Sequence, residues 1–220
     1  MFIYKLKKIT SEKKLKEGVV KNSYQRIIVL FLSTISLGAL ADVFIIDKEH
    51  TNVGFAIKHL MISKVRGRFN QFDGDVDFQI KNKIFTKMNA SILVNSIDTN
   101  EKERDKHLLS QDFFKTSTSN NKAPENIILF NMKSYKKINT ETGIATGYLT
   151  IKGIKKEIDL EVTIGGLAKD PWGNFRLAFE AKGKINRSDF GLKWNKAIET
   201  GGLFVDNIVE LIIEAQGIAK

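Results

Sequence analysis

From residue 42 onward the chain alternates apolar and polar residues with a period of two, and few folds accommodate that pattern over most of a chain. Val53, Phe55 and Ile57 alternate with Asn52, Gly54, Ala56 and Lys58; Val65, Gly67 and Phe69 alternate with Lys64, Arg66, Arg68 and Asn70. Similar rows run through Val76–Ile80, Met88–Val94, Ile158–Ile164, Phe175–Ile185 and Val209–Ala215, and two more strands are expected at 126–133 and 143–151. Successive side chains of a strand point to opposite faces, so each row has a dry and a wet side. Strands buried on both faces in a parallel sheet read instead as unbroken apolar runs, so the pattern predicts an all-β, antiparallel chain of about eight strands. Asp73-Gly74, Gly153, Gly165-Gly166 and Asp170-Pro171-Trp172-Gly173 read as turns between them.

One segment departs from this period. Asn100 and Glu103 resemble a capping box, and residues 101–110 suit a short helix. On it Arg104, His107, Leu108 and Gln111 share a face, with Asp105, Leu109 and Asp112 beside them. A strand meander with a helix across one end is a barrel plan, and barrels of about eight strands hold side chains or one small ligand inside.

The formal charge of +10 invites a nucleic-acid reading, but most of it lies in the N-terminal segment, where Lys5, Lys7, Lys8, Lys13, Lys14, Lys16, Lys21 and Arg26 face only Glu12 and Glu17. The uncharged run IIVLFLSTISLGALA follows at 27–41 and ends in Ala39-Leu40-Ala41, an A-x-A cleavage pattern. Residues 1–41 therefore read as a signal peptide with a long basic start, and 42–220 as a single exported domain, periplasmic or secreted; an uncleaved anchor is the alternative. Without the basic segment no stripe of cations and aromatics remains for nucleic acid. The chain has no cysteine, which excludes disulfides and thiol chemistry.

The inward rows mix small residues (Gly67, Ala90, Ala181, Gly183) with Phe55, Phe69, Phe78, Phe175 and Phe179. Such a wall either leaves room for a chain-like apolar ligand or packs a taper. Arg66, Arg68 and Arg104 are candidates for an anionic or carbonyl head group, although alternation turns Arg66 and Arg68 away from Phe69, toward water. The three histidines, His50, His59 and His107, show no metal-ligand spacing, so no metal or other cofactor is expected. His59 ends an inward row and reads equally as a core histidine or a ligand contact. No G-x-S-x-G elbow and no phosphate-cradling glycine loop is present, so no catalytic residue is assigned and an enzyme is not expected. The connection at 186–205 is long, with Phe190, Leu192 and Trp194 alternating in it, so part of it could pair as an extra strand, and Trp172 sits at a turn tip; such aromatics could guard a tunnel mouth, touch a membrane or form a dimer contact.

The pieces HTNVGFAIKHL (50–60), KVRGRFNQFDGDVDF (64–78), SIDTNEKERDKHLLSQDFF (96–114), GYLTIKGIKKEIDLEV (147–162) and KDPWGNFRLAFEAKGKINRSDFGL (169–192) together resemble the YceI-like family. Thr99, Arg104, Asp105, His107 and Leu108 meet its T-x-x-x-x-R-D-x-H-L arrangement. The resemblance implies an extended, lipocalin-like antiparallel barrel around an apolar tunnel, and as ligand a long-chain amphiphile, an isoprenoid or fatty-acid derivative. The residues expected to meet that ligand are Phe55, Ile57, His59, Phe69, Met88, Ile92, Arg104, His107, Leu108, Phe113, Trp172, Phe175, Phe179, Phe190 and Trp194. An enzyme acting on such a lipid, using His107 or His59 as a base, and a structural or partner-binding module with a filled, dry barrel are the rival readings.

Overall fold

A computed structural model of the protein describes residues 41–116, 123–196 and 204–220. Residues 1–40 of the expected export segment and residues 197–203 of the long connection lie outside that range. The strands are β1 (Asp42–Ile46), β2 (Asn52–His59), β3 (Ser63–Phe69), β4 (Phe72–Gln79), β5 (Ile84–Leu93), β6 (Ile97–Asp98), β7 (Ile127–Lys137), β8 (Thr142–Ile151), β9 (Ile154–Lys169), β10 (Phe175–Asn186) and β11 (Val205–Ala219). One α-helix, α1 (Lys102–Leu109), follows β6.

The strands close into the expected antiparallel barrel. The order β1-β4-β5-β7-β8-β9-β10-β11 returns to β1, a ring of eight strands. β11 is long enough to pair with β2 through Val205–Glu214 and with β1 through Gly217–Ala219. β2, β3 and β6 thus extend the wall beyond β1, β4 and β5, and three of the eight staves are single strands bent in two. The bends fall at the 3-10 turns Lys48–His50 and Val94–Ser96 and at Asn70-Gln71. Between the pairs Ile45↔Asp75 and Val53↔Phe69 the two staves of the first bend run unpaired, leaving a seam in the wall. Lys48 and Asp73 span it on the outside, Nζ to Oδ1 2.5 Å.

Three local expectations need correction. Gly165-Gly166 is not a turn: β9 runs through it, and the register slips by one residue opposite Ala178/Phe179, with Gly166 at φ 136, where a bulge needs a residue without Cβ. The N-cap of α1 is Glu101 rather than Asn100; its carboxylate accepts from the Glu103 and Arg104 N–H groups, while Asn100 turns the chain at φ 61. The segment Leu192–Lys196 forms no extra strand.

The barrel is filled unevenly. Toward the β4–β5, β7–β8 and β9–β10 turns, Phe44, Phe78, Phe85, Val162 and Leu177 are fully enclosed. Phe85 packs on Phe78 with the rings tilted, centroids 4.7 Å apart, and meets Phe179 and Tyr135 edge-on. Each such side chain contributes about 1.5–3 kcal/mol by leaving water, and together they make a dry plug. The opposite half, under α1, is hollow.

Candidate functional site

The hollow half encloses a cavity of about 330 Å³, within the size range of small-ligand sites. Its walls are the inward residues of almost every strand, among them Phe55, Phe69, Phe72, Met88, Phe130, Leu160 and Leu211. Period-two alternation turns these apolar side chains in and sends Arg66 and Arg68 outward, where both are exposed.

Polar groups gather at the α1 end. Thr99, which is buried, sits between the two charged residues of the helix's first turns. Arg104 donates from Nε to Thr99 Oγ1 and from Nη2 to the Thr99 carbonyl, both 2.7 Å. Asp105 Oδ1 accepts from Thr99 Oγ1 at 2.6 Å and from its N–H at 2.9 Å. The clamp docks a helix that has no buried residue of its own. Arg104 lines the cavity, and its Nη1 makes no hydrogen bond among the described residues. His107 also lines the cavity, with Nε2 2.8 Å from Asp112 Oδ2 and its ring edge-on to Phe113 and Trp194. His59 stands across the end, edge-on to Phe204 at 4.6 Å.

Arg187 completes this group. Only 3% exposed, it donates to the carbonyls of Leu192 (2.6 Å), Trp194 (2.8 Å) and Asp206 (2.8 Å). Burial lowers its pKa and the Asp206 carboxylate opposes that, but a guanidinium remains charged. It pins the connection after β10 over the cavity. Because Arg187 sits in a 3-10 turn rather than a strand, the alternation that revealed the wall could not reveal it. The motif NRSDFGL was visible, but its cation reads as a solvated loop charge until the carbonyls around it are seen.

Of the residues expected to meet a ligand, Phe55, Ile57, His59, Phe69, Met88, Ile92, Arg104, His107, Leu108, Phe113, Phe179 and Trp194 line the cavity. Trp172, Phe175 and Phe190 do not. Trp172 is 83% exposed at the tip of the β9–β10 turn, at the plugged end, so it guards no mouth of this cavity. Phe175 packs on Phe44 at 6.3 Å beside the same turn, half exposed because its strand has reached the barrel rim. Phe190 is buried in the 3-10 turn after β10, outside the cavity wall. The small inward residues also divide. A Cβ on Gly67 would fall 2.8 Å from both Phe55 Cε1 and Thr99 Cγ2, and one on Gly183 would fall 2.6 Å from Leu160 Cδ2, so neighbouring side chains occupy that space. Ala90 and Ala181 face the cavity.

At the plugged end Arg176 bridges Asp47 (Nη1 to Oδ2, 2.6 Å) and Asp170 (Nε to Oδ2, 2.8 Å). Burial opposes ionisation of Asp170, yet hydrogen bonds from Arg176, from the side chain and N–H of Asn174 and from the Trp172 N–H outweigh it and hold its pKa down at about 2. This network ties β1, β10 and the β9–β10 turn together and touches no cavity wall.

The sequence model of the YceI-like domain family matches residues 44–217. Over 184 residues the chain is 41% identical to Protein YceI of Escherichia coli O157:H7, spanning 83% of this chain and 90% of that one. The crystal structure of a Campylobacter jejuni YceI protein, 39% identical, superposes with a TM-score of 0.63 over 79% of this chain and 96% of its own. A polyisoprenoid binding domain from Saccharophagus degradans, 14% identical, shares the fold at a TM-score of 0.57, over 80% of this chain and 98% of its own. The sequence match across nearly the whole barrel, at this identity, places the chain in the YceI-like domain family.

Proposed function

We propose that this protein binds a long-chain apolar amphiphile, an isoprenoid or fatty-acid derivative, and sequesters or carries it after export. The carrying observation is the cavity itself: apolar along its length, with the donors of Arg104, His107 and His59 gathered at the α1 end. A tail gains roughly 0.8 kcal/mol for each methylene it buries, and a polar head meets Arg104 Nη1 and His107. The Saccharophagus degradans protein of the same fold is described as polyisoprenoid binding, which agrees with this reading. Export fits the barrel, since β1 begins at Asp42 and cleavage after Ala41 would leave its pairing with β4 and β11 whole.

Mass spectrometry of an organic extract of protein purified from its native source tests the reading. A lipid present in stoichiometric amount is expected; its repeated absence would count against a carrier.

A further inference from the structure

The turn between β2 and β3 breaks a local rule at a place where the rule is cheap to obey. Leu60 and Met61 both take positive φ, 51 and 62, and the Ile62 N–H closes the turn on the His59 carbonyl at 3.2 Å. Two successive left-handed residues are what a type I′ hairpin needs, and Asn-Gly supplies them without strain, whereas bulky side chains there are costly. The β8–β9 hairpin places Lys152-Gly153 at such a pair of positions in a two-residue loop, whereas the β2–β3 loop, between His59 and Ser63, has three residues. Here the chain instead holds three apolar residues in a row, Leu60-Met61-Ile62, with Met61 50% and Ile62 84% exposed. Strain kept together with exposed apolar surface points to use of that surface.

Its position says for what. His59 and Phe204 line the cavity, and both carry this turn: Leu60 donates its N–H to the Phe204 carbonyl at 2.9 Å, and the Phe204 ring packs on His59. The exposed apolar tip therefore sits at the polar end of the cavity, not at the plugged end. Exposed lysines surround it. Lys58 precedes it on β2, and Lys193 and Lys196 lie on the connection whose Lys196 carbonyl accepts from the Phe204 N–H. None of these three has a carboxylate partner among the described residues, whereas Lys64 is paired with Glu210. An apolar tip in a basic collar matches an anionic bilayer surface: side chains enter the acyl boundary and ammonium groups meet the head groups.

We infer that the His59–Ser63 turn is a membrane-docking tip that brings the cavity end against an anionic bilayer, where the amphiphile is taken up or released. This rests on the lipid-binding reading for its purpose, but the contact itself is measurable separately. The experiment compares the wild type with the triple variant Leu60→Asn, Met61→Gly, Ile62→Ser, both with the same N-terminus. Each is sedimented with vesicles of mixed phosphatidylglycerol and phosphatidylethanolamine, and with pure phosphatidylcholine vesicles, while loading is followed by mass spectrometry after incubation with lipid in detergent micelles. The expected result is a variant that melts higher, loads as the wild type does, and partitions onto the anionic vesicles about tenfold less or weaker still. Wild-type partitioning should fall with added salt and be weak on phosphatidylcholine. Equal partitioning of the two proteins, or none by the wild type, overturns the inference, and lipid still loading in that case leaves the carrier reading intact. Lost vesicle binding in the variant when neither protein ever loads lipid upholds the tip and removes the carrier reading. A wild-type dimer that the variant abolishes, without vesicle binding, assigns the tip to a second copy of this chain and overturns it.

Discussion

Arg187 carries more of this structure than any other single polar side chain near the cavity. Its guanidinium donates to two carbonyls of the connection after β10, those of Leu192 and Trp194, and to the Asp206 carbonyl of β11, tying the two together. Arg187→Met should destabilise the protein by roughly 2–5 kcal/mol, because charged hydrogen bonds are lost and the carbonyls stay buried. Arg187→Lys should recover only part of that, since one ammonium cannot reproduce a planar fork; urea unfolding of both variants measures it. Thr99 shows the same economy: one hydroxyl accepts from Arg104 and donates to Asp105, so polar geometry adds to the partial burial of Leu108 and Leu109 in holding a short helix.

Among the elements, the β9–β10 turn is set apart by its carboxylate. Asp170 is held at about 2 against an ordinary value of 3.8. A carboxyl whose pKa is depressed on folding binds fewer protons in the native state, so its contribution is fully present above the ordinary value and disappears as pH falls through about 2. The stability of the wild type should therefore drop across that window, and Asp170→Asn should remove this part of the slope. Urea titrations at stepped pH check the difference between the two proteins; parallel curves would show that the turn's hydrogen bonds do not depend on the charge. The β2–β3 turn is the counterpart at the other end, where apolar residues occupy strained positions and the stabilising chemistry of Asp170 is absent.

At the scale of the molecule the barrel divides into a plugged half and a hollow half. The two halves answer to opposite substitutions. Phe85→Ala, in the plug, should cost about 3–5 kcal/mol in denaturant unfolding and leave lipid loading unchanged. Ala181→Phe, on the cavity wall, should abolish loading of a long-chain lipid while stability changes by about 1–3 kcal/mol at most. Loss of loading in the first variant, or full loading in the second, would place the ligand elsewhere than in this cavity.

The amino-acid sequence alone determined which side of each strand is dry, and with that the antiparallel barrel and most of the cavity wall, because alternation is written residue by residue. Phe55, Met88 and Phe179 could be assigned inward without knowing any neighbour. Only the tertiary structure decided how far the barrel is filled and where its polar end lies. Whether a small residue leaves a void depends on the side chain that arrives from another strand: Phe55 takes the space over Gly67 and Leu160 that over Gly183, while Ala181 faces the cavity. The same dependence placed Trp172 at the plugged end and Arg187 beside the cavity, since loops carry no period and their positions follow from strand register. Local sequence sets the face of a residue, but the packing between distant strands sets what that face meets.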